Sequence, residues 1–316
     1  MQKQYKLLRR LLIVTFILFM FPLVLFAEEK KETKIKLVNE IPVLSDGSVL
    51  YSQFKGVFEP LGKYIDIEVL DIDLNNKNLI IKPAVSENLD AVKNIAEKNN
   101  AIAAINTGFF DYINGMSVSY ITINGKEVAN PKNNDNLTGN TNIKPYLDKI
   151  YNRAELKVLD CSNKKVFKID FHNSKNKNCE LLDLIQGGPM LLPVLNLAKE
   201  AFLDYKDGKK VREAANVTNN DARVAVGLTP DNHMIWVIAN AGIRDSAYYG
   251  LTITELATLM KFLDTDSAIA YDGGRSTTLY LRLPDGTSKT IIGDIDPKGE
   301  RVPARVKSVL ILTKEK

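Results

Sequence analysis

From Lys63 onward, short strand-like runs alternate with turn residues, and this pattern constrains the possible fold most. The run "YIDIEVLDIDL" alternates apolar and polar residues, "NNKN" interrupts it, and "LIIKPAV" resumes it. An alternation with a period of two predicts strands with one buried face, and a turn between two such runs predicts a hairpin. We therefore expect a sheet-based protein.

Further strand-like runs follow along the chain. Asn124-Gly125 separates two of them, which is a strong hairpin signal, and "TPDNH" separates another pair. The wholly apolar run 101–105 predicts a buried strand. The other runs are residues 120–123, 126–129, 154–160, 165–171, 222–228, 234–241, 267–271, 277–283, 288–295 and 305–313.

Two segments show helical periodicity instead. The first, residues 86–100, has Ser86 as its predicted N-cap, and Thr252 with Glu255 predicts a capping box for the second. The apolar faces consist of Leu89, Val92, Ile95 and Ala96 in the first helix and Leu256, Leu259, Met260 and Leu263 in the second. Because strands far outnumber helices, we predict an α+β fold, a single large mixed β-sheet domain with a few flanking helices.

The N-terminus has the pattern of a secretory signal. Basic residues precede an apolar run from Leu11 to Phe26, and Ala27 stands before a charged stretch. We predict that residues 1–27 are a signal peptide or, because Leu25 is large for its position, an uncleaved anchor. Either form places the protein outside the cytoplasm. Residues 28–60 are predicted to form an N-terminal arm, and residues 61–316 the main domain.

Composition and charge exclude some classes of protein. The 316 residues are 45% hydrophobic and 25% charged, which is typical of a globular chain. The net charge of +4 is spread over scattered lysines. Nucleic-acid binding usually requires a compact basic surface, so we expect no nucleic-acid partner.

The chain contains two cysteines, Cys161 and Cys179, on either side of a polar stretch. In an exported protein they form either a disulfide or two unpaired thiols, and the spacing does not decide between them. They do not have the spacing of zinc ligands. We predict no metal site and no cofactor.

Histidine is nearly absent, since the chain has only His172 and His233, both in loop-like sequence. A Ser-His-Asp mechanism and a histidine-rich zinc site are therefore not expected. If the protein is an enzyme, carboxylates must supply the acid and base chemistry.

Polar residues stand beside glycines at several strand ends. Glycine lets a ligand approach the backbone and leaves N–H groups free to bind anions. If the turns meet at one sheet edge, they form a substrate pocket. Its candidate residues are Asn106, Gly108, Asp111, Gly187, Gly188, Arg223, Asp272, Gly273, Gly274, Arg275, Ser276 and Thr277. Each has a simpler explanation, such as a tight turn or, for Arg223, a surface ion pair.

The order of these motifs resembles the phosphodiester glycosidase family. The resemblance rests on Asn106–Phe110, Gly187–Pro189, Arg223–Gly227, Gly250–Ile253 and Asp272–Ser276. Thr107 stands where the family keeps a glycine, and Arg275 replaces the third glycine of its Asp-Gly-Gly-Gly-Ser signature. The resemblance implies an exported hydrolase that cleaves the sugar–phosphate bond of glycosyl-1-phosphodiesters. The expected partner is a phosphodiester-linked carbohydrate of cell-wall or exopolysaccharide type. An uncleaved N-terminal segment would be the sole membrane contact.

This reaction assigns roles to the candidate residues. Asp272 is expected to act at the sugar as base or nucleophile, and Arg223 to hold the phosphate, while Gly273 and Gly274 offer N–H groups. Arg275 adds a second cation, gates the pocket or points to solvent. Asn106 and Ser276 bind sugar hydroxyls or orient Asp272.

Two questions stay open in the sequence. The second carboxylate is either Glu255 or Asp111, and the choice between retention and inversion depends on a separation that the sequence does not contain. Two alternatives to an enzyme also stay open. One is a non-catalytic binding protein for carbohydrate or cell-wall polymer, with Thr107 and Arg275 as signs of lost activity. The other is an envelope scaffold that recruits a partner.

Overall fold

The computed structural model describes residues 35–244 and 247–315. The predicted signal peptide, residues 1–27, lies outside the described residues. Within the described part, no helix combines the length and apolar character needed to cross a bilayer. The fold is mostly β, with 47% strand and 14% helix.

The described residues form 21 strands and four α-helices. In chain order the strands are β1 (Lys36–Pro42), β2 (Val49–Phe58), β3 (Lys63–Asp73), β4 (Leu79–Ala91), β5 (Ala103–Asn106), β6 (Ile121–Ile123), β7 (Lys126–Ala129), β8 (Ala154–Asp160), β9 (Lys165–Phe171), β10 (Glu180–Gln186), β11 (Met190–Leu192), β12 (Leu203–Lys206), β13 (Lys209–Glu213), β14 (Arg223–Leu228), β15 (His233–Ala239), β16 (Gly242–Arg244), β17 (Ala247–Tyr249), β18 (Ser267–Tyr271), β19 (Thr278–Arg282), β20 (Ser288–Ile292) and β21 (Arg305–Lys314). The helices are α1 (Val92–Lys98), α2 (Asp135–Thr138), α3 (Leu147–Tyr151) and α4 (Ile253–Phe262).

Three antiparallel sheets contain most of the strands. Sheet I has the order β1-β2-β3-β15-β14-β18-β11, sheet II the order β7-β6-β10-β8-β9, and sheet III the order β20-β19-β5-β21-β4. The remaining strands form the hairpins β12-β13 and β16-β17. The expected single mixed sheet is therefore wrong. Hairpin signals are local, whereas the grouping of hairpins into sheets depends on contacts between distant segments.

The main hydrophobic core lies between the three sheets. Sheet I contributes Trp236, which is 1% exposed, sheet II contributes Leu156, and sheet III contributes Leu310. The outer face of sheet I is covered by α4 through Leu256, Leu259 and other residues of its apolar stripe. The outer face of sheet III is covered by α1. Burial of each large side chain removes apolar area from water and stabilises the fold by roughly 1.5–3 kcal/mol.

The N-terminal region differs from the prediction. Residues 36–58 form β1 and β2, and β2 pairs along its full length with β3 from Val49↔Ile72 to Phe58↔Lys63. This segment is therefore part of sheet I rather than an arm. Both faces of β2 are covered, since Tyr51 is fully buried in the core between the sheets and Phe58 is fully buried under α4.

The start of the first helix was also predicted wrongly. Strand β4 continues to Ala91, and α1 begins only at Val92, with Ala91 rather than Ser86 as its N-cap. The end of β4 pairs with β21 at Asp90↔Val306 and Ala91↔Arg305. This pairing with a distant strand overrides the local helical periodicity. Part of the predicted polar loop 130–142 likewise forms α2, which Asn134 caps.

A disulfide joins Cys161 and Cys179. The two residues directly follow β8 and precede β10, and the last residue pair between these strands is Asp160↔Glu180. The antiparallel pairing therefore brings the two cysteines together. The polar stretch between them contains β9 and the short loop before β10.

Candidate active site

Four turns with polar sequence meet around the C-terminal end of β18. The Asp272 N–H donates to the Thr107 carbonyl at 3.0 Å, and the Gly188 N–H donates to the Ala270 carbonyl at 2.9 Å. The Gly274 N–H donates to the Ala222 carbonyl at 2.8 Å. The turns after β5, β10 and β18 and the residues before β14 thus form one cluster, as the sequence analysis expected. We call it the turn cluster.

Asn106 holds the turn that carries Asp272. Its side chain is fully buried, donates to the Asp272 carbonyl at 2.6 Å and accepts from the Thr278 N–H at 2.9 Å. One amide therefore ties both ends of the turn 272–278. Its predicted contact with sugar hydroxyls is not supported by this geometry, because Asn106 acts on the backbone.

Asp272 is the central carboxyl group of the turn cluster. Its side chain is half-buried and hydrogen-bonds with the side chain of Ser276. Burial, together with the nearby charge of Asp221, raises the pKa of Asp272 to about 7 although the Ser276 hydrogen bond opposes the rise. A carboxyl group that titrates near neutrality has the protonation behaviour required for acid–base chemistry.

Two further carboxyl groups lie close to this site, and neither was predicted from the sequence. Asp221 accepts from the Ala222 N–H at 2.8 Å and from Asn216 Nδ2 at 3.0 Å. Asp294 is 9% exposed, and burial and the Asp221 charge raise its pKa while Arg275 and Arg301 oppose the rise. Asp294 stands beside no family motif, and Asp221 has only its position just before β14 to indicate a role. Asp221 and Asp294 are therefore two carboxyl groups close to the turn cluster that the predicted pair of Asp111 and Glu255 did not include.

The glycines of the turn cluster serve close packing. A Cβ on Gly187 would lie 2.5 Å from Tyr271 Cδ1, and one on Gly273 would lie 2.5 Å from the Ala222 carbonyl oxygen. The N–H groups of Gly187, Gly188 and Gly274 all donate to backbone carbonyls. The predicted N–H cradle for an anion is therefore wrong at these three positions, because the turns use those donors to bind one another.

Gly108 and Thr277 are also packing residues. A Cβ on Gly108 would lie 2.9 Å from Ser119 Cβ, and Thr277 is fully buried against Gly293. Neither residue therefore presents a group to a substrate. Their side-chain volume decides how closely the turns approach one another.

Arg223 has a different role from the predicted one. Its guanidinium donates to the carbonyls of Leu251, Ala215, Asn216 and Asn219 at distances of 2.7 to 2.9 Å. The residue is 3% exposed, and its Cδ lies 3.6 Å from the position of a Cβ on Gly273. Arg223 therefore supports the turn cluster from behind, and each of its three guanidinium nitrogens donates to the backbone.

Arg275 and Asp111 lie nearer the surface. Arg275 is exposed and lowers the pKa of Asp294 through its charge. Asp111 accepts from Asn136 Nδ2 at 2.7 Å and from the Ile113 N–H at 2.8 Å, and these bonds lower its pKa. A carboxylate used in this way stabilises a turn and is a poor candidate for catalysis.

Glu255 belongs to the start of α4. It forms the capping box with Thr252, and its carboxylate lies 2.9 Å from Lys63 Nζ. Backbone and lysine contacts lower its pKa despite partial burial. The structure thus gives Glu255 a structural role in place of the predicted catalytic one.

We expect Glu255→Gln to leave turnover within about twofold of the wild type. Stability should fall by less than about 1 kcal/mol, because glutamine keeps the capping box and only the ion pair with Lys63 is lost. Steady-state kinetics and urea unfolding would measure the two effects. Glu97→Gln, on the exposed side of α1, is the matched control for loss of a helix carboxylate. A loss of turnover of about 100-fold in a folded Glu255→Gln protein would restore Glu255 to the chemistry.

Other features lie apart from the turn cluster. One cavity of about 290 Å³ is lined by residues 85–90 and Lys98, and another of about 170 Å³ by Met116, Lys307 and their neighbours. His172 hydrogen-bonds with Glu155 at 2.8 Å and His233 with Asp71 at 2.6 Å, so both are half-buried residues rather than exposed loop residues. Among the described residues, no group of His, Cys, Asp and Glu is arranged to hold a metal ion.

The fold is mostly antiparallel β, and it holds a carboxyl group with a pKa near neutrality close to the charge of a second carboxyl group. This arrangement defines a candidate acid–base site. Comparison with known proteins assigns the family. The model of the phosphodiester glycosidase family matches residues 99–313, and the chain belongs to this family. No curated protein matches the sequence.

Solved structures share the fold. The catalytic domain of zebrafish N-acetylglucosamine-1-phosphodiester alpha-N-acetylglucosaminidase, auto-inhibited by pro-peptide, matches with a TM-score of 0.60 and 16% identity, covering 90% of this chain and 88% of that one. A hypothetical protein from Synechocystis matches with a TM-score of 0.55 and 15% identity over 85% of this chain. This chain spans 62% of that protein.

Proposed function

We propose that this protein hydrolyses the bond between the anomeric carbon and the phosphate oxygen of sugar-1-phosphodiesters. The family assignment supports this class of reaction. The observation that carries the proposal is the perturbed carboxyl group of Asp272, held by Ser276 and influenced by Asp221 at the meeting point of the family turns.

The chemistry of the leaving group suits such a site. Cleavage passes through an oxocarbenium-like transition state, and the leaving phosphate monoester has a second pKa of about 6. It therefore departs as an anion near neutral pH without strong help from a general acid. The essential group is a carboxylate at the sugar, and we assign this role to the deprotonated form of Asp272, as base or nucleophile.

The second carboxylate in this proposal is Asp221 or Asp294. The charge of Asp221 raises the pKa values of both Asp272 and Asp294, so its carboxylate is close enough to interact with each of them. If one of them activates water while Asp272 forms a glycosyl intermediate, the reaction retains configuration. If Asp272 activates the water directly, the reaction inverts configuration.

We further propose that the protein acts outside the cytoplasm on phosphodiester-linked cell-wall or exopolysaccharide polymers. Residues 1–27 have the secretory pattern, and the Cys161–Cys179 disulfide fits an oxidising compartment. Fold alone does not determine the sugar, so the substrate class rests on the reaction and on the compartment.

Incubation of the purified protein with a panel of sugar-1-phosphodiesters tests the proposal. We expect release of free sugar and of the phosphate monoester from at least one member. Binding of the panel without turnover would replace the enzyme by a carbohydrate-binding protein on the same fold. If the protein neither binds nor cleaves any member of the panel, the remaining function is that of a scaffold that recruits a partner.

The pH dependence of the reaction gives a second test. Because the carboxylate form of Asp272 is the active one in this proposal, kcat/KM should rise with pH, with an apparent pKa of about 7, and then level off. A pH series on the best substrate of the panel measures this. A profile that falls with pH through 7 would instead assign Asp272 as general acid.

A further inference from the structure

Arg153 is a buried cation close to two of the turns of the turn cluster. It lies just before β8 and is 6% exposed. Its guanidinium carbon lies 3.8 Å from the centroid of the Phe202 ring and 5.5 Å from that of the Phe109 ring. Burial lowers its pKa to about 9, which shows how strongly this environment disfavours an unpaired charge.

The nitrogens of Arg153 differ in their contacts. Nε donates to the Glu200 carbonyl at 3.0 Å. Among the described residues, Nη1 and Nη2 make no hydrogen bond, and no carboxylate lies within ion-pair distance of them. Nη1 and Nη2 are not among the fully buried side-chain atoms that lack a hydrogen-bond partner. Because they have no partner, both atoms must keep some contact with solvent. The guanidinium thus has two unused nitrogens on an open edge.

The neighbouring carboxylate does not neutralise this charge by contact. Both oxygens of Glu200 are used by the backbone, since they accept from the Ala154 N–H at 2.9 Å and the Met190 N–H at 2.7 Å. The other charge that influences Arg153 is Arg212, which is of like sign. A desolvated cation without a contacting counterion is costly, and a bound anion would relieve that cost.

The position of Arg153 connects it to Asp272 by two short segments of chain. Thr107, whose carbonyl binds the Asp272 N–H, is two residues from Phe109, which flanks the guanidinium. Gly188 binds the Ala270 carbonyl, and a Cβ on it would lie 3.1 Å from the Phe202 ring. The turns that contain Thr107 and Gly188 therefore contact both the segment that carries Asp272 and the rings that flank the Arg153 guanidinium.

We propose that Arg153, held between Phe109 and Phe202, binds the phosphate of the substrate. This inference rests on the proposed function and supplies the cation that Arg223 does not. A guanidinium offers two parallel N–H donors to a phosphate, and the aromatic rings fix its plane. As the bond between the anomeric carbon and oxygen breaks, the electron pair passes to the phosphate oxygen, and Arg153 stabilises that charge.

Arg153→Met tests the proposal, since methionine keeps an apolar contact with the two rings and removes the charge. We expect kcat/KM for a sugar-1-phosphodiester to fall about 100-fold. Binding of inorganic phosphate, measured by its effect on the thermal unfolding midpoint, should weaken about tenfold or more. If Arg153→Met fails to fold, Arg153→Lys should show the same weakening in smaller degree, because an ammonium cannot bind in two-pronged fashion.

Arg212→Met is the matched control. Arg212 also packs over a ring, that of Tyr146 at 4.7 Å, and also donates Nε to a carbonyl, that of Ala201 at 2.6 Å. We expect it to retain phosphate binding. Arg275→Met tests the competing cation, and loss of phosphate binding there with retention in Arg153→Met would overturn the proposal.

The phosphate assay separates this inference from the proposed function. Asp272→Asn should lose turnover and keep phosphate binding. If no sugar-1-phosphodiester is cleaved but wild-type binding of inorganic phosphate is lost in Arg153→Met, the anion site stands and the proposed reaction fails. If the wild type does not bind inorganic phosphate, or binds it equally in Arg153→Met, the inference is wrong whatever the turnover.

Discussion

Asp272→Asn is expected to lower kcat for a cleaved sugar-1-phosphodiester by about 10³-fold, because an amide cannot accept a proton or attack the anomeric carbon. The fold should persist, since asparagine has the same shape and can still hydrogen-bond with Ser276. Kinetics at pH 8, where the wild-type carboxylate predominates, measure the loss. Asp285→Asn, in the exposed turn between β19 and β20, should have no effect on turnover and serves as control.

The same substitution should increase stability at high pH. The pKa of Asp272 is about 7 in the folded protein and near the ordinary aspartate value of 3.8 in the unfolded chain, so the folded state binds one more proton between these pH values. The contribution of Asp272 to the free energy of unfolding of the wild type is therefore greatest below about pH 4, and it is lost as the pH rises to about 7. The shift corresponds to at most about 4 kcal/mol.

Thermal unfolding of wild type and Asp272→Asn at pH 4 and pH 8 checks this result. We expect the variant to gain stability relative to wild type at pH 8 and little at pH 4. Equal differences at both pH values would show that the carboxyl group is not strained by burial. In that case the site would lose its main physical argument for acid–base chemistry.

Arg223→Met is expected to destabilise the protein by about 3–5 kcal/mol, the second large effect. The substitution leaves four backbone carbonyls around the turn cluster without their buried charged donor. Urea unfolding of the two proteins measures the change. Arg282 lies at the end of β19 and donates one exposed hydrogen bond to the Asn100 carbonyl. Arg282→Met should therefore lower the free energy of unfolding by less than about 1 kcal/mol.

Arg223→Met also decides between the two roles considered for this residue. If it folds with near-normal stability but has a strongly raised KM for the phosphodiester, Arg223 contacts the phosphate after all. If stability falls as expected, any loss of turnover follows from disorder of the turn cluster. The measurement that separates the cases is the unfolding free energy of the purified variant.

Local structure was largely predictable from the sequence. The hairpin at Asn124-Gly125, the capping box of Thr252 and Glu255, and the buried strand ending at Tyr271 all depend on near neighbours along the chain. The start of α1 was not predictable in this way, because the residues before Val92 form strand pairs with β21. Local preference loses to long-range pairing when the latter completes a sheet.

Part of the candidate site was also predictable. Asp272 stands directly after an apolar strand and beside two glycines, so its unusual position was visible. Asp221, Asp294 and Arg153 carry no such signal. Their importance comes from burial and from charges on distant segments, and neither property is encoded by spacing along the chain.

The sequence by itself determined the strand-rich character of the chain, its family motifs and the position of one exceptional carboxylate, because these follow from residue type and short-range order. Only the tertiary structure decided which arginine has committed donors and which has an open edge. The reason is physical: the carbonyls that bind Arg223 come from the segment 215–219 and from Leu251, and the two rings that hold Arg153 come from two further segments of the chain. Folding alone brings them together.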